Sequence, residues 1–164
     1  MNKYKILMVD DDVDVINAVM PFMIKERFEL VTASNKKEGM DKARTENPDL
    51  IILDVMMTTQ FEGFELREEL INNPLFKDVP VIMLTSIDVL TTNRHDVQAM
   101  AREFRRNDDY SELQVLLVKD LSTGNAGIDY MDENKNTHWL PVNGFIKKPV
   151  NPMEIMKEIK GLLK

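Results

Sequence analysis

A strand with one face in water alternates polar and apolar side chains. Several stretches of this chain do not. "YKILMV" (4–9), "LIIL" (50–53) and "VPVIML" (79–84) run apolar without a polar break. Strands of that kind are buried on both faces, which happens in a parallel sheet with helices packed on either side. "FELVTA" (28–33) and "NGFIKK" (143–148) complete a set of five. Amphipathic segments fill the gaps. Residues 14–26 place Val15, Val19, Phe22 and Met23 at helical spacing, with Pro21 expected to kink the helix or force a local adjustment. Ser34 or Asn35 can cap a second helix that ends near Asn47, before Pro48. A third runs from about Gly63 to Ile71. A last one starts with Asn151 as cap and Pro152 in its first turn, and buries Ile155, Ile159, Leu162 and Leu163.

In an open parallel sheet, ligands bind beyond the carboxyl ends of the strands. Here every relevant end is polar: Asp10 and Asp11 after the first strand, Asp54 after the third, Thr85 after the fourth, Lys148 after the fifth. Taken singly, each has an ordinary explanation. Acids after a strand favour a helix start, Asp54 suits a turn, and a lone lysine is usually solvated. Together they make a site. Three carboxylates within a few ångströms repel one another unless a cation joins them. Mg²⁺ is bound by one or two carboxylates and keeps room for water and phosphate oxygens. A metal, an ammonium and a hydroxyl around one carboxylate are suited to phosphoryl transfer onto that carboxylate.

Residues 86–144 break the alternation, because one crossover helix needs far fewer. Val97, Met100, Ala101 and Phe104 define an amphipathic helix whose stripe reads as core packing. "ELQVLLVKDL" (112–121) is apolar but ambiguous in period, and "STGNAGIDYMDENKNTH" (122–138) reads as a loop. Residues 107–140 hold seven acids against Lys119 and Lys135, so most of the formal charge of −7 is local to a segment that reads as solvated. His95 and His138 have no second ligand at helical spacing and read as solvent-exposed.

Composition excludes several classes. There is no cysteine, hence no disulfide or thiolate metal site, and a cytoplasmic location is expected. No apolar stretch reaches membrane-spanning length, and the opening residues "NKYKILMVD" are not expected to act as a signal peptide. A charge of −7 argues against nucleic acid as a partner. The twelve methionines read mainly as core filler. The expectation is one domain, residues 1–164, with an atypical insertion at about 88–142.

The motifs "ILMVDDD", "LIILDVMM", "VIMLTS" and "FIKKP", in that order, resemble the receiver domain of two-component response regulators, over residues 3–86 and 141–164. The resemblance implies a flavodoxin-like, doubly wound α/β fold with five parallel strands ordered 2-1-3-4-5. It implies Asp54 as acceptor of a phosphoryl group from a histidine kinase, a phosphotransfer protein or a small donor. Asp11 and Asp54 would bind Mg²⁺ directly and Asp10 through water, with the Met56 carbonyl completing the set. Thr85 and Lys148 would hold the phosphoryl group. The Lys148–Pro149 bond would be cis, and Phe145 would stand for the aromatic that swings inward on activation. The expected role is signalling rather than enzymatic: at most self-phosphorylation and slow dephosphorylation, since Met56 and Ile87 are apolar where the family positions water.

Departures are clear. Thr58 stands where the family has Pro, and Gly63 comes one residue late. Ser86 replaces the usual Ala, and the stretch 88–142 replaces a simple fourth helix. That stretch is expected to carry the contact with a downstream protein partner, with Trp139 docked near it. No output domain is seen after residue 164, so the expectation is a standalone receiver acting through that partner; the resemblance also allows a homodimer. Two rivals stand beside this reading. One is a Mg²⁺-dependent phosphohydrolase with Asp10 as nucleophile in an Asp10-x-Asp12 motif. The other is a receiver-like scaffold that works without phosphorylation.

Overall fold

The computed structural model describes residues 3–55, 57 and 62–163. Contacts divide the chain into two compact units, residues 1–86 with 146–164, and residues 87–145.

In the first unit, strands β1 (Lys5–Val9), β2 (Glu29–Ala33), β3 (Leu50–Asp54) and β4 (Val81–Thr85) are joined by helices α1 (Val13–Lys25), α2 (Lys36–Glu46) and α3 (Glu62–Ile71). After the second unit the chain returns as β9 (Gly144–Lys147) and ends in α5 (Pro152–Leu162). The five strands are parallel, in the order β2-β1-β3-β4-β9. This is the order expected from the sequence. Side chains alternate across the sheet. Ile6, Met8, Ile52, Ile82 and Leu84 belong to one core with Val19 and Met23 of α1 and Ile155 and Ile159 of α5. Val9, on the opposite side of the pleat from Met8, faces Gly39 of α2, which also lies against Leu66 of α3. Both faces are therefore covered, which is why β3 and β4 are buried at every residue.

Local chemistry sets the element ends. Asn35, not Ser34, caps α2, its Oδ1 accepting from Glu38 N at 2.8 Å. Ser34 instead donates to the Glu38 carboxylate. Asn47 closes α2 in the left-handed region at φ 48°. Asn151 caps α5 by accepting from Met153 N at 3.0 Å. Helix α1 continues through Pro21 to Lys25.

The second unit is an ordered four-stranded sheet, β5 (Val89–Thr92), β6 (Val115–Asp120), β7 (Ala126–Met131) and β8 (Thr137–Val142), with α4 (Val97–Arg105). β5 pairs parallel to β6, and β6-β7-β8 run antiparallel. This corrects the sequence reading of 122–138 as a loop: it holds β7 and the start of β8. Gly127 and the run of Asn, Asp and Lys at 132–136 lower the strand signal, while pairing across two neighbours supplies the stability that local propensity lacks. The ambiguous segment 112–121 resolves as the central strand β6. Gly127 has a packing role, since a Cβ there would lie 2.2 Å from Cζ2 of Trp139. Trp139 packs with Val97, Ala101 and Val118, so the α4 stripe is core, as expected.

The acids of this unit are not all solvated, a second correction. Asp129 and Asp120 are buried. Arg105 Nε donates to Asp129 Oδ1 at 2.7 Å, Nη2 to Asp129 O at 3.2 Å and Nη1 to Leu113 O at 2.6 Å. Asp120 accepts from Ser122 and Thr123 and meets His95 Nδ1 at 2.8 Å. Those bonds, His95 foremost, hold its carboxyl well below the usual carboxylate range. His95 is exposed as expected. His138 is not: it is half-buried, paired with Asp132 at 2.8 Å and stacked on Tyr130 with ring centroids 4.7 Å apart.

Candidate functional site

The parallel sheet gathers its carboxyl ends at one edge. Asp10 N extends the β1–β2 ladder by donating to Ala33 O at 2.9 Å, and Val55 N extends β3–β4 by donating to Leu84 O at 2.9 Å. These bonds fix where the acids project. Ligand atoms of Asp10, Asp11 and Asp54 lie within 4.8 Å of one another, with Asp10 and Asp54 buried and Asp11 exposed. The third acid of the run, Asp12, does something else. Its Oδ1 accepts from Asp14 N at 2.9 Å and caps α1. Within 10–12, Asp12 starts the helix while Asp10 and Asp11 lie in the acidic cluster with Asp54.

Lys148 closes the site. Its Nζ donates to Asp54 Oδ2 at 2.9 Å and lies 4.0 Å from Asp10 Oδ2. Its backbone N donates to Thr85 O at 2.8 Å, tying it to the end of β4. The Lys148–Pro149 bond is cis. Burial works to lower the ammonium pKa, but the hydrogen bond to Asp54 and the charges of Asp54, Asp10 and Asp12 outweigh it and leave it raised. Thr85 is buried at the end of β4, and Phe145 is buried in β9. Met56 and Thr58 lie outside the described residues.

Asp10 is the electrostatic problem of the site. Burial foremost, and then the neighbouring Asp54 charge, lift its pKa from 3.8 to about 7, against the opposing pull of the Asp12 N–H. Its Oδ1 accepts that N–H at 2.9 Å, and its buried Oδ2 has no hydrogen-bond partner. A buried, orphaned carboxylate oxygen beside two further carboxylates fits a hard divalent cation. The linkage has a definite sign. An acid whose pKa is raised on folding binds its proton more tightly when folded, so stability falls as pH rises from about 4 to about 7. The metal-free protein is expected to lose thermal stability between pH 5 and pH 8. Mg²⁺ should raise the Tm more at pH 8 than at pH 5, and Asp10→Asn should flatten both trends. A Tm that climbs with pH, or a metal increment indifferent to it, contradicts this assignment.

Gly63, which the sequence marks as a helix start and as an offset in the motif, also shapes the site. A Cβ on Gly63 would lie 2.2 Å from Asp54 O and 2.5 Å from Val55 O. The first turn of α3 therefore rests directly on the backbone that presents Asp54, and only glycine permits that approach. Gly63→Ala is expected to cost about 1–3 kcal/mol by overpacking against unyielding backbone, read as a lowered urea midpoint. An unchanged midpoint would show that α3 can shift freely. Arg67, also in α3, is buried as well, and burial lowers its pKa to about 10. Nothing in the amphipathic pattern of 63–71 marks it.

Comparison with known proteins agrees with this geometry. Residues 6–106 match the family described as response regulator receiver domain. The chain is 39% identical over 88 residues to the alkaline phosphatase synthesis transcriptional regulatory protein PhoP of Bacillus subtilis, covering 54% of this chain and 35% of that protein. It is 27% identical over 163 residues to a probable transcriptional regulator, ycf27, of Cyanophora paradoxa, covering 96% and 64%. The matches thus span from about a third to just under two thirds of these relatives' length. Among solved structures, the chemotaxis response regulator CheY4 of Vibrio cholerae superposes with a TM-score of 0.59 at 21% identity, covering 99% of this chain and all of that one. A CheY-like receiver domain protein of Methanospirillum hungatei gives 0.61 at 23%, covering 99% and 94%. Asp10, Asp11, Asp54 and Thr85 fall inside the matched range; Lys148 falls outside it and reaches the site through β9. The chain belongs to the response regulator receiver domain family of two-component signalling.

Proposed function

We propose that Asp54 is the phosphoryl acceptor of this receiver. The observation that carries the reading is the 2.9 Å bond from Lys148 to an Asp54 carboxylate that shares its pocket with Asp10 and Asp11. Receiver domains of response regulators are phosphorylated by histidine kinases and are in general not enzymes themselves. Here a carboxylate oxygen of Asp54 attacks the phosphorus of a phosphohistidine on a kinase or phosphotransfer protein. The P–N bond breaks, and the imidazole leaves with a proton. Acetyl phosphate would serve as a small donor. Lys148 orients Asp54 before transfer and offsets the charge gained, and the Thr85 hydroxyl accompanies it. Asp10, Asp11 and Asp54, with the Met56 carbonyl that family resemblance adds, would hold Mg²⁺, which supplies charge neutralisation for the incoming phosphoryl oxygens.

The product carries about −1.5 to −2 charges at the acceptor, by analogy with other phosphoresidues. Thr85 and Phe145 then shift a pre-existing equilibrium. We place the downstream contact on residues 88–142, read as an insertion in a single receiver, and the partner as a protein rather than nucleic acid, in keeping with the net charge of −7. Among the described residues no helix is long and apolar enough to cross a membrane. With the absence of cysteine, this supports a cytoplasmic location.

The hydrolase alternative requires Asp12 as a free acid–base group, whereas it is occupied as the α1 cap. Peptide mapping after acetyl phosphate treatment with Mg²⁺ tests the assignment. A phosphoryl group on Asp54 is expected; one on Asp10, or none, defeats it. Met56→Asn should shorten the lifetime of the aspartyl phosphate measured by its decay, and equal lifetimes would remove the apolar shielding argument.

A further inference from the structure

The first unit carries a second feature away from the acceptor. A groove of about 720 Å³ lies between α1 and α5. In a parallel α/β sheet each helix runs back from the carboxyl ends of the strands, so the C-terminal halves of both helices, with Phe22, Lys25 and Lys160, lie away from Asp54. The groove lining is apolar at Phe22, Met153 and Met156 and cationic at Lys25, Lys157 and Lys160. Its one acid, Glu26, is held by Lys160 at 2.8 Å. Lys25 and Lys157 have no carboxylate partner among the described residues. A protein of net charge −7 thus has a positive groove with an apolar lining.

We infer that this groove docks an acidic amphipathic helix of a partner protein. Charge complementarity selects the sign of the partner, and the apolar lining selects its form. A helix laid between two helices offers anchors at i, i+3, i+4 and i+7 to the groove while its acids meet the lysines on either side. Met153 is 73% exposed, and a flexible thioether can repack around such anchors. Nucleic acid matches the lysines but has nothing to place on Phe22 and Met153.

The test uses the full chain, isotopically labelled, and a synthetic helix of about 18 residues with Leu and Phe at those spacings and Glu elsewhere. Saturable binding is expected, with amide shifts gathered at Phe22, Lys25, Met153, Lys157 and Gly161. The same helix carrying Lys for Glu should bind at least about 10-fold more weakly. The double variant Lys25→Glu with Lys157→Glu should lose at least about 10-fold in affinity for the acidic helix, with circular dichroism and Asp54 phosphorylation unchanged. Absent saturation, equal binding of the basic helix, undiminished affinity in the double variant, or engagement only of anionic phospholipid vesicles would each overturn the proposal.

Discussion

Replacing Asp54 by Asn is expected to reduce phosphoryl labelling from acetyl phosphate to background. Asn keeps the shape of the side chain and removes the nucleophilic oxygen. The loss would not be an unfolding artefact. Asp54 is one of the charges that raise the Asp10 pKa, so neutralising it relieves repulsion in a buried pocket, and Lys148 remains 4.0 Å from Asp10. The metal-free variant should therefore melt no lower than the parent at pH 8. Lys148→Ala is the informative companion: the nucleophile stays while its 2.9 Å partner goes, so labelling should slow without vanishing. Undiminished labelling of Asp54→Asn, with the phosphoryl group recovered elsewhere, would reassign the acceptor.

The largest stability effect is expected at Arg105. Three of its nitrogens are committed, two of them to Asp129, and both side chains are nearly buried, 10% and 7% exposed. Arg105→Met leaves the Asp129 carboxylate buried without its cation, a loss of about 3–5 kcal/mol. Converting both, Arg105→Met with Asp129→Leu, should recover most of that, because the cost comes from the orphaned charge rather than from the lost attraction. The sole tryptophan, Trp139, sits in this unit and packs with the α4 stripe. Its fluorescence during urea unfolding reports the relevant transition directly. A single-variant cost below about 1 kcal/mol would mean the pair is as well hydrated as a surface salt bridge.

What could be read from the sequence followed from how much of each signal is local. Strands β1, β3 and β4 announced themselves because burial on both faces leaves no polar alternation to confuse. Asp10, Asp11, Asp54 and Lys148 were legible because strand ends in a parallel sheet have a fixed place to go. Capping was half legible: Asn151 was named, while the choice between Ser34 and Asn35 depends on backbone angles that composition does not encode. The second unit was harder. β7 contains Gly127 and Asp129, two poor strand formers, and each is explained only by a partner distant in the chain, Trp139 for the glycine and Arg105 for the acid. Arg67 and the half-buried His138 were missed for the same reason: what surrounds a side chain is set by tertiary packing. Gly63 was visible as an offset, but its contact with the Asp54 carbonyl required coordinates.

The late return of β9 has a consequence for how the protein is made. Lys148 follows Asp54 by 94 residues, so a ribosome exposes the acidic partners long before the ammonium that offsets them. Until β9 emerges, β4 is an open edge of a growing sheet, and such edges invite mispairing with other chains. A translation product stopping short of β9 would carry Asp54 without the ammonium that pairs with it and would leave β4 as the bare edge of the sheet.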